Sequence, residues 1–277
     1  MRVAIVSSGL VSIPPTHGGA VEEYVYQLTR HQRALGTDAV AIDFTLSKRL
    51  EYEEHNGALM VKIPITRFTG LPKERILREY FFGFRASRYL KELGVEVAHA
   101  NTAWTGLALT RTLRNKMALI YTVHNPLWPE EKIHTSEHVV RLVEGYTMRM
   151  SRAVVALNKT MAESIAVKAH VDPRKIFTVP NGVDTEFFKP DIDVPDVVEK
   201  YGLEGSRVVL FVGKVTYTKG VHLLVKAFKD LVKVYRDLKL VVVGPLSNAF
   251  GERRVSAYAR TLMNYAKRSL PRGSYLS

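Results

Sequence analysis

Two lysines five positions apart, Lys214 and Lys219, carry the strongest chemical signal in the sequence. They lie in Gly213-Lys214-Val215-Thr216-Tyr217-Thr218-Lys219-Gly220, between an apolar β-type run and a helical pattern. Two ammonium groups at the start of a helix could neutralise a diphosphate leaving group. The order Lys-Gly reverses the Gly-Lys of a P-loop, so a Walker site is not expected, and a solvated surface loop carries lysines equally well. A second glycine loop, Pro14-Pro15-Thr16-His17-Gly18-Gly19, precedes the first helical pattern. Gly18 and Gly19 would let the backbone approach an anion beside helix N–H groups. The same pair also suits a tight turn, and it is not the G-x-G-x-x-G fingerprint. His124, in Thr122-Val123-His124-Asn125, stands at a predicted strand's carboxyl end. There it could hydrogen-bond a substrate hydroxyl, move a proton or serve structure alone. His134-Thr135-Ser136-Glu137-His138 has the H-x-x-E-H spacing of some zinc peptidases. No third ligand accompanies it, so no metal is expected. Asn158-Lys159-Thr160 is a formal glycosylation sequon, discounted because no secretory signal precedes it.

These residues need a scaffold, and the chain alternates strand and helix to build one. Strand patterns run over 2–7, 39–44, 59–63, 95–99, 118–123, 153–157 and 176–179. Helical periodicity fills 21–35, 76–93, 104–113, 137–151 and 159–169. Such alternation predicts βαβ units and a parallel, doubly wound α/β sheet. Ligands then bind beyond the strand ends, here Ser7-Ser8-Gly9, His99-Ala100-Asn101 and His124-Asn125-Pro126. The linker-like stretch Pro190 to Pro195 divides the chain into domains 1–190 and 191–277. The second domain holds strands at 207–212 and 240–243 and helices at 221–239 and 255–269. Leu224, Ala227, Phe228, Leu231, Tyr235 and Leu238 are expected to share the buried face of the first of those helices. A β-α-β-α unit cannot complete a six-stranded sheet, so the second domain is expected to be incomplete.

Composition narrows the classes. The 277 residues include no cysteine, which excludes disulfide scaffolds, thiolate metal sites and a Cys nucleophile. Hydrophobic residues at 46% and charged residues at 24% are globular values and argue against long disorder. No apolar run approaches the roughly 18 residues of a membrane span, and the N-terminus does not read as a signal peptide, so a cytoplasmic protein is expected. The net charge of +13 calls for an anionic partner: nucleic acid, anionic lipid or a phosphorylated small molecule. Basic residues concentrate at Arg67, Lys73, Arg75, Arg78, Arg85, Arg88 and Lys91, and again in the tail from Arg253 to Arg272. The first stretch also holds Tyr80, Phe81, Phe82, Phe84 and Tyr89. It could dock peripherally on an anionic membrane, or pack as a core helix with a charged outer face. Only two glutamines among so many Lys and Arg suggest a thermophile.

Taken in order, these blocks resemble a known family. The series is strand, Gly18-Gly19, helix; Thr122-Val123-His124-Asn125; Val179-Pro180-Asn181-Gly182-Val183-Asp184 with Phe188 and Pro190; Phe211-Val212-Gly213-Lys214; Lys219-Gly220; and Leu240-Val241-Val242-Val243-Gly244. It resembles the retaining nucleotide-sugar glycosyltransferases of family 4, with the GT-B fold of two Rossmann-like domains. The resemblance implies transfer of a sugar from a nucleotide-diphosphate sugar to an unknown acceptor with retention of configuration. It implies no cofactor. In that family the donor lies between the domains. Gly18 and Gly19 would then approach the donor phosphates, and Lys214 and Lys219 would hold the diphosphate. His124 would contact the donor sugar, Pro180 to Asp184 would form the interdomain turn, and Gly213 and Gly244 would lie near the nucleotide. Two departures stand out. The family usually has Arg where this chain has Lys214, which loses the bidentate fork. The family's Glu-x7-Glu pair is absent, so the chain is expected to be C-terminally truncated and a poor catalyst. Two alternatives remain open: a nucleotide-sugar epimerase of the same fold, and a non-catalytic anion or nucleic-acid binder. The second lacks any recognised nucleic-acid motif, and nucleic acid is not the expected partner.

Overall fold

The computed structural model describes residues 1–16, 18–66, 73–113, 116–125, 135–247 and 254–276. His17, Arg67, Phe68, Pro126, His134 and Arg253 lie outside the described residues. Two units emerge, Met1–Gly182 and Val183–Ser277. The break thus falls inside the Pro-Asn-Gly-Val-Asp block, ahead of the 190/191 division expected from the prolines.

The first unit comprises β1 (Arg2–Val6), α1 (Ala20–Ala34), β2 (Asp38–Thr45), β3 (Glu51–His55), β4 (Ala58–Pro64), α2 (Glu74–Glu92), β5 (Val97–Ala100), α3 (Ala103–Leu113), β6 (Ala118–Val123), α4 (Thr135–Met150), β7 (Ala153–Ala156), α5 (Lys159–Ala169) and β8 (Ile176–Thr178). Its eight strands lie in the order β3-β4-β2-β1-β5-β6-β7-β8. All neighbours are parallel except β3, which pairs antiparallel with β4. Both faces of the sheet are buried, as a parallel sheet requires. Along β1, Ala4 and Val6 face one core with Phe82, Leu90, Leu109 and Met148. Val3 and Ile5 face the other with Val25 and Tyr26 of α1. Successive side chains of a strand alternate faces, so this five-residue run feeds two cores. The chain runs outward in opposite directions from β1, to β2 on one side and β5 on the other. That reversal is a topological switch point, where sites form beyond the strand ends.

The second unit comprises α6 (Pro195–Lys200), β9 (Arg207–Val212), α7 (Val221–Val234), β10 (Leu238–Val243), α8 (Ala257–Ser269) and β11 (Tyr275–Leu276), with parallel strands in the order β11-β10-β9. Its core joins Val225, Phe228 and Val232 of α7 to Leu240 of β10 and Ala266 and Leu270 around α8. The expected face of α7 is corrected here. The buried row is Val221, Val225, Phe228 and Val232, whereas Ala227, Leu231 and Tyr235 are exposed. The helix also stops at Val234, because Tyr235 turns to extended backbone and Leu238 already belongs to β10. On β9, Val208, Leu210 and Val212 are exposed on the face opposite Val209, which packs on the core.

Candidate active site

The first unit's candidate residues gather at the switch point. After β1 the chain loops through Ser7-Ser8-Gly9 and returns to α1 at Gly19. Gly18 and Gly19 take φ of 92° and 144°, which disfavours L side chains. A Cβ on Gly19 would also meet Glu22 Oε2 at 2.8 Å, so this helix start is reserved for glycine. Buried Glu22 accepts a hydrogen bond from the Ser8 hydroxyl. With Glu23 it places two acidic residues in the first turn of α1. Those carboxylates already complement the helix's positive end, so charge for an anion must come from elsewhere. Asp43 anchors the loop by accepting from the Ile13 N–H at 2.9 Å, and burial pushes its carboxyl up to about 7.

Across the switch point, His124 is half-buried just after β6. Its Nε2 lies 3.1 Å from Asn101 Oδ1, and the Tyr24 ring meets it edge-on with centroids 4.7 Å apart. His99 Nε2 lies 2.6 Å from the Thr122 hydroxyl oxygen. Burial lowers both rings, His99 and His124, to about 4, with His124 itself adding to the shift of His99. Both imidazoles are therefore neutral at pH 7, and His124 offers hydrogen bonding rather than positive charge. Burial raises the Tyr24 hydroxyl, opposed by a hydrogen bond from Thr122. Tyr24, His99 and Asn101 complete the cluster; His99 and Asn101 belong to the strand end His99-Ala100-Asn101 expected to border a ligand, whereas Tyr24 carries no sequence signal.

The second unit builds its loop around two glycines. Gly213 directly follows β9 and Gly244 directly follows β10, and they lie side by side. Gly213 N–H donates to Val243 O at 2.8 Å, and Val215 N–H donates to Pro245 O at 3.0 Å. A Cβ on Gly244 would fall 2.0 Å from Gly213 O. Both glycines have φ near 150°, at 153° and 151°. The loop then runs through half-buried Lys214 and a 3-10 turn, Tyr217–Lys219, in which Lys219 is exposed. Gly220, left-handed at φ 70°, starts α7. Tyr258 of α8 braces that start: its hydroxyl accepts from the His222 backbone N–H at 3.2 Å and lies 2.9 Å from His222 Nδ1. Tyr217, 71% exposed, stacks on His222 with centroids 4.6 Å apart and planes 9° apart. This aromatic trio was not foreseen from the sequence.

The remaining motifs resolve differently. Asp184 Oδ1 accepts from the N–H groups of Glu186 and Phe187, both at 3.1 Å, folding the chain just past the unit boundary. Asn158 is the N-cap of α5, its side chain accepting from Met161 N–H at 2.8 Å. Among the described residues no group of three or more His, Asp or Glu could hold a metal. No described helix is long and apolar enough to cross a membrane.

Residues 18–187 match the sequence profile of Glycosyltransferase Family 4. The chain belongs to that family. Residues 193–266 further match the profile of Glycosyl transferases group 1. Spore coat protein SA of Bacillus subtilis (strain 168) is 21% identical over 273 residues, covering 95% of this chain and 65% of its own. The chain thus spans less than two thirds of that relative's length. Among solved structures, sucrose-phosphate synthase from Thermosynechococcus elongatus aligns over the whole chain and 69% of its own, with a TM-score of 0.73 at 17% identity. Anabaena HepE, solved with UDP and glucose, aligns over the whole chain and 68% of its own, with a TM-score of 0.67 at 18% identity. These likenesses show the fold: α/β of the GT-B type.

Proposed function

We propose that this family 4 chain carries donor-binding machinery of a retaining glycosyltransferase that uses a nucleoside-diphosphate sugar. The observation that carries the reading is the Gly213–Gly244 pair. It brings the backbone of two parallel strand ends together and launches a lysine-bearing loop into a helix start. Lys214 and Lys219 neutralise the departing diphosphate. Gly18 and Gly19 bring the backbone of α1 close to the donor phosphates. Gly213 and Gly244 lie near the nucleotide, and neutral His124 orients the donor sugar. The bond from the anomeric carbon to the diphosphate oxygen breaks as the acceptor oxygen bonds to the same face. The departing phosphate oxygen takes the acceptor's proton, so no protein nucleophile is needed. The lysines supply the positive charge, and the reaction is read as needing no cofactor.

The acceptor side is read as membrane-proximal. Phe81, Phe84, Arg85, Arg88 and Lys91 are exposed on α2, whereas Phe82 is buried in the core and Tyr89 packs against it. An aromatic and basic face of this kind suits an anionic bilayer surface. Flotation with vesicles rich in anionic lipid is expected to carry the protein upward, and failure to float removes this element. Nucleic acid is not read as a partner; salt-sensitive binding to random DNA at physiological ionic strength would contradict that.

The reading is tested by incubation with UDP-, GDP- and ADP-linked sugars and a panel of alkyl glycoside acceptors. Release of nucleoside diphosphate only when an acceptor is present, with the donor's anomeric configuration kept in the product, supports transfer. Sugar epimerisation without an acceptor would assign the chain to an isomerase instead.

A further inference from the structure

Asn101 sits at the switch point, directly after β5, and is buried. Its Nδ2 lies 3.1 Å from the Val6 carbonyl oxygen and 3.3 Å from the His99 carbonyl oxygen. Carbonyl oxygens only accept hydrogen bonds, so the amide NH2 must occupy that side. The amide oxygen then faces the other way, 3.1 Å from His124 Nε2. An amide oxygen also only accepts, so Nε2 must carry the hydrogen. In a neutral imidazole the other nitrogen, Nδ1, then holds a lone pair. Two backbone carbonyls, one at the end of β1 and one in β5, thus dictate the tautomer of a ring beyond β6.

We propose that Asn101 is a positioning residue that fixes His124 as the Nε2–H tautomer, so that Nδ1 accepts a hydrogen bond from a hydroxyl of the donor sugar. The second half rests on the donor-sugar role given to His124 above; the first half does not. Burial, which keeps the ring neutral near pH 7, preserves the lone pair. The edge-on Tyr24 ring holds the imidazole plane. An acceptor nitrogen at this position selects for a sugar bearing a hydroxyl there and against its deoxy or O-acylated analogue, because neither of those can donate.

The test begins with the wild-type chain labelled with 15N-histidine, read by long-range 1H–15N correlation at pH 7. The His124 signals are assigned by their loss in His124→Gln. A pyrrole-type Nε2 with a pyridine-type Nδ1 is expected; the opposite tautomer, or the averaged pattern of an imidazolium, overturns the proposal. Next, UDP-glucose, GDP-mannose and ADP-glucose are titrated against the corresponding nucleoside diphosphates, and the tightest pair is carried forward. Asn101→Leu and the less disruptive Asn101→Ser are each expected to lower the preference for the sugar nucleotide over its nucleoside diphosphate by about fivefold, the worth of one hydrogen bond. Binding of the nucleoside diphosphate itself should not change. A preference unchanged in a folded Asn101 variant overturns the positioning role. Binding of none of the probes by wild type overturns the donor-site reading and with it the role of Nδ1, while the ring-nitrogen spectrum still decides whether Asn101 sets the tautomer.

Discussion

The paired glycines of the second unit invite a comparison of two alanine substitutions. Gly213 and Gly244 share nearly the same backbone conformation, with φ of 153° and 151°. Alanine at either position therefore meets a similar conformational cost of about 1–3 kcal/mol. Their surroundings differ. A Cβ on Gly213 would lie 3.5 Å from the Phe211 ring, an ordinary contact. A Cβ on Gly244 would lie 2.0 Å from Gly213 O and 2.6 Å from Gly213 C, so the ends of β9 and β10 must part. Parting them removes the Gly213–Val243 and Val215–Pro245 hydrogen bonds, at about 1 kcal/mol each. Gly244→Ala should thus cost about 2 kcal/mol more than Gly213→Ala. In hydrogen exchange followed by mass spectrometry, that difference is about thirtyfold faster exchange in peptides covering 207–212 and 238–243. Equal exchange in the two variants, or faster exchange in Gly213→Ala, would refute the close approach of these strand ends.

Two buried carboxyls, buried His99 and half-buried His124 of the first unit set opposing pH dependences. Asp43 and Glu144 are pushed by burial from 3.8 and 4.5 to about 7. Each keeps its proton when folded while the unfolded chain releases it, so each removes stability as pH rises from about 4 to 7. His99 and His124, lowered from 6.5 to about 4, remove stability as pH falls through that same window. Buried Glu79, also raised by burial, acts in the same direction as the two acids, so the histidines offset only part of the acids' effect between about pH 4.5 and 6.5. Asp43→Asn removes one of these acids, so the slope of stability against pH in that window should become more positive than that of wild type by about 1.4 kcal/mol per unit. Denaturation followed by tryptophan fluorescence checks this, since Trp104 and Trp128 both precede Gly182; a slope equal to wild type would contradict it. For the N-cap of α5, Asn158→Ala should cost about 1 kcal/mol in the same assay, and no loss would remove its capping role.

Much of this architecture is legible because βαβ alternation leaves a strong pattern: β6, β9 and α5 begin and end where their apolar runs do. β3 was missed because Glu51-Tyr52-Glu53-Glu54-His55 is an exposed edge strand without an apolar side. Its signal lay in the turn: Asn56-Gly57 adopts φ of 45° and 81°, the geometry of a tight hairpin. The apolar spacing predicts a longer α7 because Tyr235 and Leu238 continue it after the helix has ended. At the site, motif spacing singled out His124, Gly213 and Gly244 as separate points. It could not show that Gly213 and Gly244 touch, which depends on β9 and β10 being neighbours. Nor could it bring Asn101 to His124, because that contact depends on the strand order β1-β5-β6. His222 and Tyr258 are 36 positions apart and meet only through the packing of α7 and α8.

The most direct measurement is calorimetric titration of the chain with UDP, GDP and ADP, repeated with Lys214→Ala, Lys219→Ala and, as a control on the far end of α7, Lys233→Ala. At least one nucleoside diphosphate should bind. Each loop-lysine variant should bind it about tenfold more weakly, as expected for a lost charged contact to phosphate, and the control should match wild type. Binding unchanged in both loop-lysine variants, or equally weakened in all three, would contradict the assignment of this loop to the donor's diphosphate.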